Sequence, residues 1–159
     1  MEIRILVVGD IVGSPGRAVF KEAVGALKKD GLVDFVIANA ENAAGGRGLT
    51  MALARELFEA GADVLTMGDH VWDQKDLVKQ IESEPRILRP ANLPPASPGK
   101  GWVTLETPKG RVTVINLVGR VFMPPMDCPF RAVDEILGRK EEMGCVIVAD
   151  VHAEATSEK

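Results

Sequence analysis

Polar side chains that can bind a metal ion or transfer a proton follow four separate aliphatic runs of this sequence. Asp10 follows the first run, Glu41 the second, Asp69 and His70 the third, and His152 the last. Both histidines of the chain belong to this set. Carboxylates mixed with imidazoles suit Mn²⁺, Fe²⁺ or Zn²⁺ better than Ca²⁺, which prefers oxygen ligands alone. One carboxylate can bridge two cations about 3.5–4 Å apart, and such pairs activate water and stabilise in-line displacement at phosphorus.

Each of these residues also has a plainer interpretation. An aspartate after a strand is often only the N-cap of the next helix, and this applies to Asp10. A lone histidine is more often structural than functional. Glu41 is harder to explain in this way, because it precedes a glycine-rich loop and caps no predicted helix. We interpret Asp150, two residues before His152, as structural, either directed away from that histidine or orienting it.

The glycine-rich loop after the second run offers groups for an anionic ligand. The glycines of residues 45–48 let the backbone approach a ligand closely, and Arg47 among them can bind phosphate oxygens. We therefore assign Arg47 to substrate binding, together with Asn42, which follows Glu41. A solvated loop arginine is an equally good interpretation of Arg47.

Aliphatic runs that alternate with helical patterns predict the elements that position these residues. These runs predict the strands of a largely parallel sheet, and the continuous rather than alternating hydrophobicity of the first run predicts that it is buried on both faces. The carboxyl ends of parallel strands share one edge of a sheet, and ligands bind there. The candidate residues should therefore meet at that edge. The predicted strands are Ile3–Val8, Val33–Ala38, Val64–Met67 and Cys145–Ala149.

Apolar residues at helical spacing predict the intervening helices. The first has Ser14 as its N-cap and ends before Gly31, and the second is capped by Thr50. The segment Pro85–Pro98 predicts a long loop. Two further strands on either side of a short turn predict an antiparallel hairpin. The later helices are predicted at Met51–Ala60, Gln74–Ile81 and Ala132–Glu142, and the hairpin strands at Val103–Glu106 and Arg111–Asn116.

The composition is that of one globular domain, residues 1–159. With 46% hydrophobic and 26% charged residues, the chain is too apolar for a disordered segment, and no apolar run is long enough for a membrane span. The net charge of −4 has the wrong sign for binding duplex nucleic acid through phosphate contacts alone. An N-terminus that runs directly into a strand, with only two cysteines, predicts a cytoplasmic chain without a disulfide framework.

Six sequence motifs resemble those of the YmdB-like metallophosphoesterases, and the match extends over the whole chain. The resemblance implies the α/β sandwich of the calcineurin-like phosphoesterases, with a largely parallel sheet, helices and an inserted hairpin. It also implies a phosphoric diester hydrolase that acts on cyclic nucleotides, 2′,3′-cyclic forms among them. The motifs are Gly9–Arg17, Asn39–Gly46, Gly68–Asp73, Arg89–Asn92, Asn116–Met123 and His152–Lys159.

The same resemblance implies roles for five residues around two divalent metal ions, iron or manganese ahead of zinc or magnesium. Asp10 would bind one ion and Glu41 would bridge both. Asp69 and His152 would hold the second ion. His70 would lie beside the scissile phosphate, as a general acid or as a donor to the developing charge.

The chain departs from the family pattern in two places. Asp69 stands where the family usually has asparagine, and we expect a carboxylate to bind the metal more tightly but to weaken it as a Lewis acid. Family members also continue past the position of Lys159 with a Gly-Thr-His-Thr-His segment, whose histidines complete each metal site. We therefore expect the C-terminal part of the domain to be missing, which would expose apolar surface and an unpaired sheet edge.

Three functions are compatible with these observations. The first is a two-metal phosphodiesterase for a small phosphorylated ligand. The second is a non-catalytic module that keeps the metal-binding residues and senses a nucleotide or an RNA end. The third is an inactive piece that is stable only with a complementing chain. Exposed apolar surface favours a homo-oligomer, and no membrane partner is expected.

Overall fold

The computed structural model describes residues 2–159, which form two β-sheets flanked by helices. Within this range the strands are β1 (Ile5–Val8), β2 (Phe35–Asn39), β3 (Val64–Thr66), β4 (Ile87–Leu88), β5 (Trp102–Thr107), β6 (Gly110–Val118) and β7 (Val146–His152). The α-helices are α1 (Gly13–Lys29), α2 (Met51–Glu59), α3 (Lys75–Gln80) and α4 (Pro129–Leu137). Short 3₁₀ helices cover Asp69–Trp72, Ile81–Ser83, Lys140–Glu142 and Thr156–Glu158.

The first sheet has the predicted parallel architecture. Its order is β1-β2-β3-β4, and all three neighbouring pairs are parallel. β2 is buried along its whole length. The prediction that β1 is buried on both faces is wrong, because β1 lies at the sheet edge and Val7 is 53% exposed. An aliphatic run indicates a strand but not whether a neighbour covers its second face.

The predicted hairpin forms part of a second sheet, whose order is β5-β6-β7. β5 and β6 pair in antiparallel orientation, and β6 and β7 pair in parallel. The second pairing continues as far as Val118 opposite His152, so β7 is longer than predicted and includes Asp150. β7 is an edge strand whose outward residues Ile147 and Val151 are each 43% exposed.

β4 lies within the segment predicted to be a proline-rich loop. It consists of Ile87 and Leu88 alone, which are too few residues to show a periodicity. Two backbone hydrogen bonds hold it against β3. The N–H of Leu65 donates to the carbonyl of Arg86 at 2.9 Å, and the N–H of Met67 donates to the carbonyl of Leu88 at 3.0 Å. The sheet thereby gains a fourth strand end beside that of β3.

The helices differ from prediction mainly at their ends. α1 has Val12 as its N-cap and no side-chain cap, so Ser14 is not the capping residue. Thr50 does cap α2, since its Oγ1 accepts a backbone N–H three residues further on at 3.3 Å. The helix predicted over residues 132–142 is divided, because α4 ends before Gly138 and a 3₁₀ turn follows. Among the described residues, no helix is both long and apolar enough to cross a membrane.

Three apolar clusters hold the layers together in the order helices, first sheet, second sheet, helix. α1, α2 and α3 pack on the outer face of the first sheet, where Phe20 lies in one cluster with Leu65. The inner faces of the two sheets meet in a cluster that includes Ile37 and Val114. α4 covers the outer face of the second sheet through Ile136. This sandwich confirms the expected fold class and leaves the strand ends free to carry polar groups.

Candidate metal centre

Three of the predicted metal ligands meet where the carboxyl ends of the strands lie together, which we call the carboxyl edge. Glu41 follows β2, Asp69 begins the 3₁₀ turn after β3, and His152 ends β7. One ligand atom of each residue lies within 4.8 Å of the others. The imidazole of His152 joins the two carboxylates. Its Nδ1 lies 2.7 Å from Glu41 Oε1, and its Nε2 lies 3.4 Å from Asp69 Oδ1.

The carboxylate of Glu41 is fully buried but only partly satisfied. Its Oε2 accepts a hydrogen bond from the backbone N–H of His70 at 3.4 Å. Its Oε1 lies 2.7 Å from His152 Nδ1, in an ion pair that lacks good hydrogen-bond geometry. A cation bound by both atoms would satisfy them, so this set of donors fits a divalent ion of the manganese, iron or zinc type.

The pKa values in this cluster indicate an ion pair when no metal is bound. Burial alone would raise the pKa of Glu41, but the neighbouring His152 and the His70 N–H outweigh burial, and the pKa is lowered. The pKa of His152 is raised, chiefly by its contact with Glu41 and in spite of desolvation, with a further contribution from Asp69. Because a raised pKa favours protonated His152 and a metal-binding histidine must be neutral, metal binding should strengthen as the pH rises.

Gly68 provides the space that the Glu41 carboxylate occupies. A Cβ atom at position 68 would lie 2.5 Å from both Oε1 and Cδ of Glu41, which is closer than real side chains approach. The φ angle of Gly68 is −122°, so space rather than backbone conformation requires glycine here. Asn39 supports the same residue, because its Oδ1 accepts the backbone N–H of Glu41 at 3.1 Å. Sequence reasoning missed the role of Gly68, whose only signal was its position before Asp69.

Asp10, Asn42 and His70 form a second group, joined through the amide of Asn42. Asn42 Nδ2 donates to both carboxylate oxygens of Asp10, at 3.0 and 2.9 Å. Asn42 Oδ1 lies 2.8 Å from His70 Nδ1. Since the NH₂ side of the amide faces Asp10, its oxygen must accept, and Nδ1 of His70 carries the proton. His70 Nε2 is left available for a ligand, 3.8 Å from Asp69 Oδ2.

The structure places Asp10 outside the group of three ligands described above. Its side chain is exposed, and both of its oxygens accept from Asn42. The plainer interpretation of Asp10 as a helix cap is wrong, because the N-cap of α1 is Val12 and no side chain caps that helix. A metal-binding role for Asp10 stays a prediction.

Comparison with known proteins decides the family. The family model described as YmdB-like protein matches residues 6–159. The chain belongs to the YmdB-like family. It is similar to the 2′,3′-cyclic-nucleotide 2′-phosphodiesterase of Bacillus subtilis (strain 168), with 46% identity over 157 residues. That alignment covers 99% of this chain and 60% of the Bacillus protein. The resemblance predicted from the six motifs is confirmed.

Two solved structures share the fold of this YmdB-like chain. The crystal structure of a hypothetical protein from Thermus thermophilus has a TM-score of 0.90 and 42% identity, and the match covers 99% of this chain and 60% of that one. A novel phosphatase from Mycoplasma pneumoniae has a TM-score of 0.87 and 32% identity, with 98% and 57% covered. The chain spans about 60% of the length of the Bacillus and Thermus proteins.

The glycine-rich loop of this YmdB-like chain packs partly against its own domain. Arg47 Nε donates to Asp73 Oδ2 at 3.0 Å, and the arginine side chain is 71% exposed. A Cβ atom at Gly48 would lie 2.7 Å from Gln74 Cγ, so the close approach that requires this glycine is to the residue preceding α3. Substrate binding by Arg47 stays a prediction.

Hydrogen bonds donated by two side chains, Asn116 and Thr66, join the two sheets near the strand ends in this family member. Asn116 Nδ2 donates to the last carbonyl of β4 at 2.8 Å and to the carbonyl that follows β3 at 2.6 Å. Thr66 Oγ1 donates to Asp150 Oδ2. Asp150 therefore points toward the first sheet, on the same side of β7 as His152, and is not directed away from it. Sequence reasoning assigned no role to the Asn116 side chain, although a buried amide must find hydrogen-bond partners.

Proposed function

We propose that this chain carries the catalytic site of a metal-dependent phosphodiesterase that hydrolyses 2′,3′-cyclic nucleotides with two divalent cations. The observation that carries the proposal is the buried Glu41 carboxylate, whose Oε1 is unsatisfied in a cluster with His152 and Asp69. The substrate class is supported by membership of the YmdB-like family and by similarity to the Bacillus protein named for that substrate.

The proposed metal ligands divide into two sets that share one carboxylate. Asp69 and His152 would hold one cation, Asp10 would hold the other, and Glu41 would bridge both. When bound, two cations of the iron or manganese type supply Lewis acidity, which neutralises charge on the phosphate and makes water more acidic. The chain's own contribution is to hold the ligands in place, and Gly68 does so by leaving room for the shared carboxylate.

The proposed reaction is the hydrolysis of one ester bond. The oxygen of water attacks phosphorus and one P–O ester bond breaks, which leaves a phosphate monoester and a free hydroxyl group. His70 would donate a proton from Nε2 to the leaving oxygen, because its Nδ1 is held by Asn42. Asp69 Oδ2 lies 3.8 Å from this Nε2. Asn42 therefore orients His70, in addition to its predicted role as a substrate contact, which it shares with Arg47.

A second candidate function is the binding of a nucleotide or an RNA end without turnover. One observation favours it. Among residues 2–159 the structure shows a single group of three metal-ligating side chains, and Asp10 is hydrogen-bonded to Asn42 outside that group. Three ligands can hold one cation, which is enough to bind a phosphate but does not provide a bridged pair.

Hydrolysis of 2′,3′-cyclic AMP distinguishes the two functions. The chain is loaded with Mn²⁺ or Fe²⁺, and the wild type is compared with Glu41→Gln and with Glu84→Gln, a matched change at a carboxylate paired with Arg86. We expect hydrolysis by the wild type and by Glu84→Gln, and a loss of roughly 100-fold or more in Glu41→Gln. Nucleotide binding without hydrolysis in every metal would contradict the proposal and support the binding module. Neither binding nor hydrolysis would indicate a chain that needs a complement.

A further inference from the structure

Arg89 is a buried arginine at the carboxyl edge that the proposed reaction does not use. It follows Leu88, the last residue of β4, and is only 8% exposed. The parallel pairing of β3 with β4 brings Thr66 opposite Leu88, and Asn116 Nδ2 donates to the carbonyl of Leu88 and to the carbonyl that follows β3. Paired strands lie about 4.8 Å apart, so Arg89 lies beside the segment that leads into Asp69.

The guanidinium of Arg89 is almost without partners. Its Nη1 donates to the backbone carbonyl of Pro90 at 2.8 Å. Its Nε is buried and has no hydrogen bond. No carboxylate of residues 2–159 forms an ion pair with it, in contrast to Arg4, Arg17 and Arg86, which each pair with an acidic side chain.

A buried guanidinium without an ion-pair partner lowers the stability of the folded chain. Arginine remains charged at all physiological pH values, so it cannot escape burial by losing its proton. Burial lowers the pKa of Arg89, whereas the pKa values of Arg4 and Arg86 are raised by their carboxylate partners. The Nε donor of Arg89 is thus desolvated without an acceptor, and no carboxylate among the described residues compensates the charge of the guanidinium, which destabilises the fold. The group that would compensate this charge is an anion that the free chain does not supply.

We propose that Arg89 binds a phosphate-type oxyanion of a ligand at the carboxyl edge. The planar guanidinium presents parallel N–H donors that match two oxygens of a phosphate. Because the backbone of Arg89 lies beside the segment that leads into Asp69, the proposed phosphate would bind at the same edge of the sheet as the proposed metal centre. The identity of the ligand as a nucleotide rests on the proposed function, whereas the presence of an oxyanion site rests on Arg89 alone.

The test is thermal unfolding of the metal-free chain in EDTA, with and without inorganic phosphate. Arg89→Met keeps much of the side-chain length and removes the charge. We expect a higher midpoint than the wild type in the absence of phosphate, because an unpaired buried charge is gone, and no increase on adding phosphate. The matched control is Arg86→Met, at the amino end of the same strand, which should keep the phosphate-dependent increase of the wild type.

A second variant covers the case in which Arg89→Met does not fold. Arg89→Lys keeps the charge but loses the planar pair of donors, and we expect a Kd for phosphate about tenfold weaker than that of the wild type. No phosphate-dependent increase in the wild type, or an unchanged one in the Arg89 variants, would overturn the proposal.

A parallel titration with adenosine 3′-monophosphate separates the two sources of the oxyanion. A stronger, Arg89-dependent effect of the nucleotide identifies a nucleotide phosphate, and an equal effect identifies free phosphate. Both outcomes support the oxyanion site. EDTA removes the cations, so this unfolding test does not depend on the proposed metal centre. A phosphate-dependent increase in the midpoint that requires Arg89, together with an absence of hydrolysis, would contradict only the proposed phosphodiesterase activity.

Discussion

The two edges of the first sheet differ in how far their charged side chains are paired within the chain. At the amino ends of the strands, which we call the amino edge, an acidic residue precedes each of β2, β3 and β4, and every one is paired. Asp34 pairs with Arg4 and Lys109, Asp63 with Lys28, and Glu84 with Arg86. The pKa of Asp34 lies well below its usual range, mainly because Arg4 and then Lys109 donate hydrogen bonds to it.

The carboxyl edge, in contrast, leaves polar groups unsatisfied. Among the residues that the structure describes, the buried side-chain atoms without a hydrogen bond are Oε1 of Glu41, Nε of Arg89 and Oδ1 of Asn116. Glu41 and Arg89 follow the carboxyl ends of β2 and β4, and Asn116 lies two residues before the carboxyl end of β6. Buried polar atoms are nearly always satisfied in proteins, so their concentration at one edge is informative. The acidic residues of the amino edge are paired within the chain, whereas the carboxyl edge carries the unsatisfied atoms at which the proposed cation and anion would bind.

The largest predicted loss of metal affinity follows the addition of a single methyl group at Gly68, at the carboxyl edge. Gly68→Ala would push the Glu41 carboxylate out of its place, and we expect metal affinity to fall roughly 10–100-fold. Gly9→Ala is the matched control, because it lies at the same edge and its Cβ would meet no atom within 4 Å. Calorimetric titration with Mn²⁺ measures both. Equal affinities for the two variants would show that Gly68 does not position Glu41.

A smaller effect is expected when Asp69 is replaced by the asparagine usual in the family. Asp69→Asn removes a charge that faces His152 and His70, and we expect metal affinity to fall about tenfold. Turnover at saturating metal should rise, since the metal keeps more of its Lewis acidity. Metal titration followed by the assay with 2′,3′-cyclic AMP measures both quantities. If neither changes, the hypothesis about this departure is wrong.

The pH dependence of stability should differ between the edges in the metal-free chain. The raised pKa of His152 gives stability that is complete below 6.5 and is lost as the pH rises through the folded-state value. The lowered pKa of Glu41 gives stability present above 4.5 and lost on acidification through its folded-state value. We expect the difference in unfolding free energy between wild type and His152→Gln to be largest between pH 4.5 and 6.5.

The corresponding contribution from Asp34 behaves differently at neutral pH. Its lowered pKa gives stability that is complete above 3.8 and is lost only in stronger acid. Urea unfolding of wild type and Asp34→Asn should therefore give a constant difference between pH 5 and 8. A decline of that difference over this range, or none for His152→Gln, would contradict the contrast between the edges.

The smallest effect is expected at Arg47. Its ion pair with Asp73 is exposed to solvent, so Arg47→Gln should change the free energy of unfolding by no more than about 0.5 kcal/mol. Urea unfolding measures this directly. If KM for 2′,3′-cyclic AMP increases in the same variant, the predicted substrate contact gains support, and an unchanged KM leaves Arg47 a solvated loop residue.

The sequence could predict which residues reach the carboxyl edge because that depends on local patterns. Aliphatic runs indicate where the strands end, and the polar residues after them include Glu41, Asp69 and His152. The parallel sheet, the hairpin and the family follow from the same patterns and motifs. The Thr50 cap was predictable because the capping residue and its partner are three positions apart.

Features that depend on packing between distant segments could not be predicted. The need for glycine at position 68 arises only because Glu41, 27 positions earlier, folds its carboxylate into that space. Whether Arg89 has a hydrogen-bond acceptor or a carboxylate partner depends on which distant segments pack around it. No local sequence pattern shows that such a partner is absent. The exposure of Val7 on β1 likewise depends on which strands pair, not on the strand's own residues.

The most direct test of the central claim is the metal content of the chain after loading with Mn²⁺ or Fe²⁺ and exhaustive dialysis. Elemental analysis compares the wild type with Glu41→Gln at the carboxyl edge and with Glu84→Gln at the amino edge. We predict that the wild type and Glu84→Gln retain close to two metal ions per chain and that Glu41→Gln retains almost none. Equal retention by all three proteins, or none in the wild type, would contradict the account.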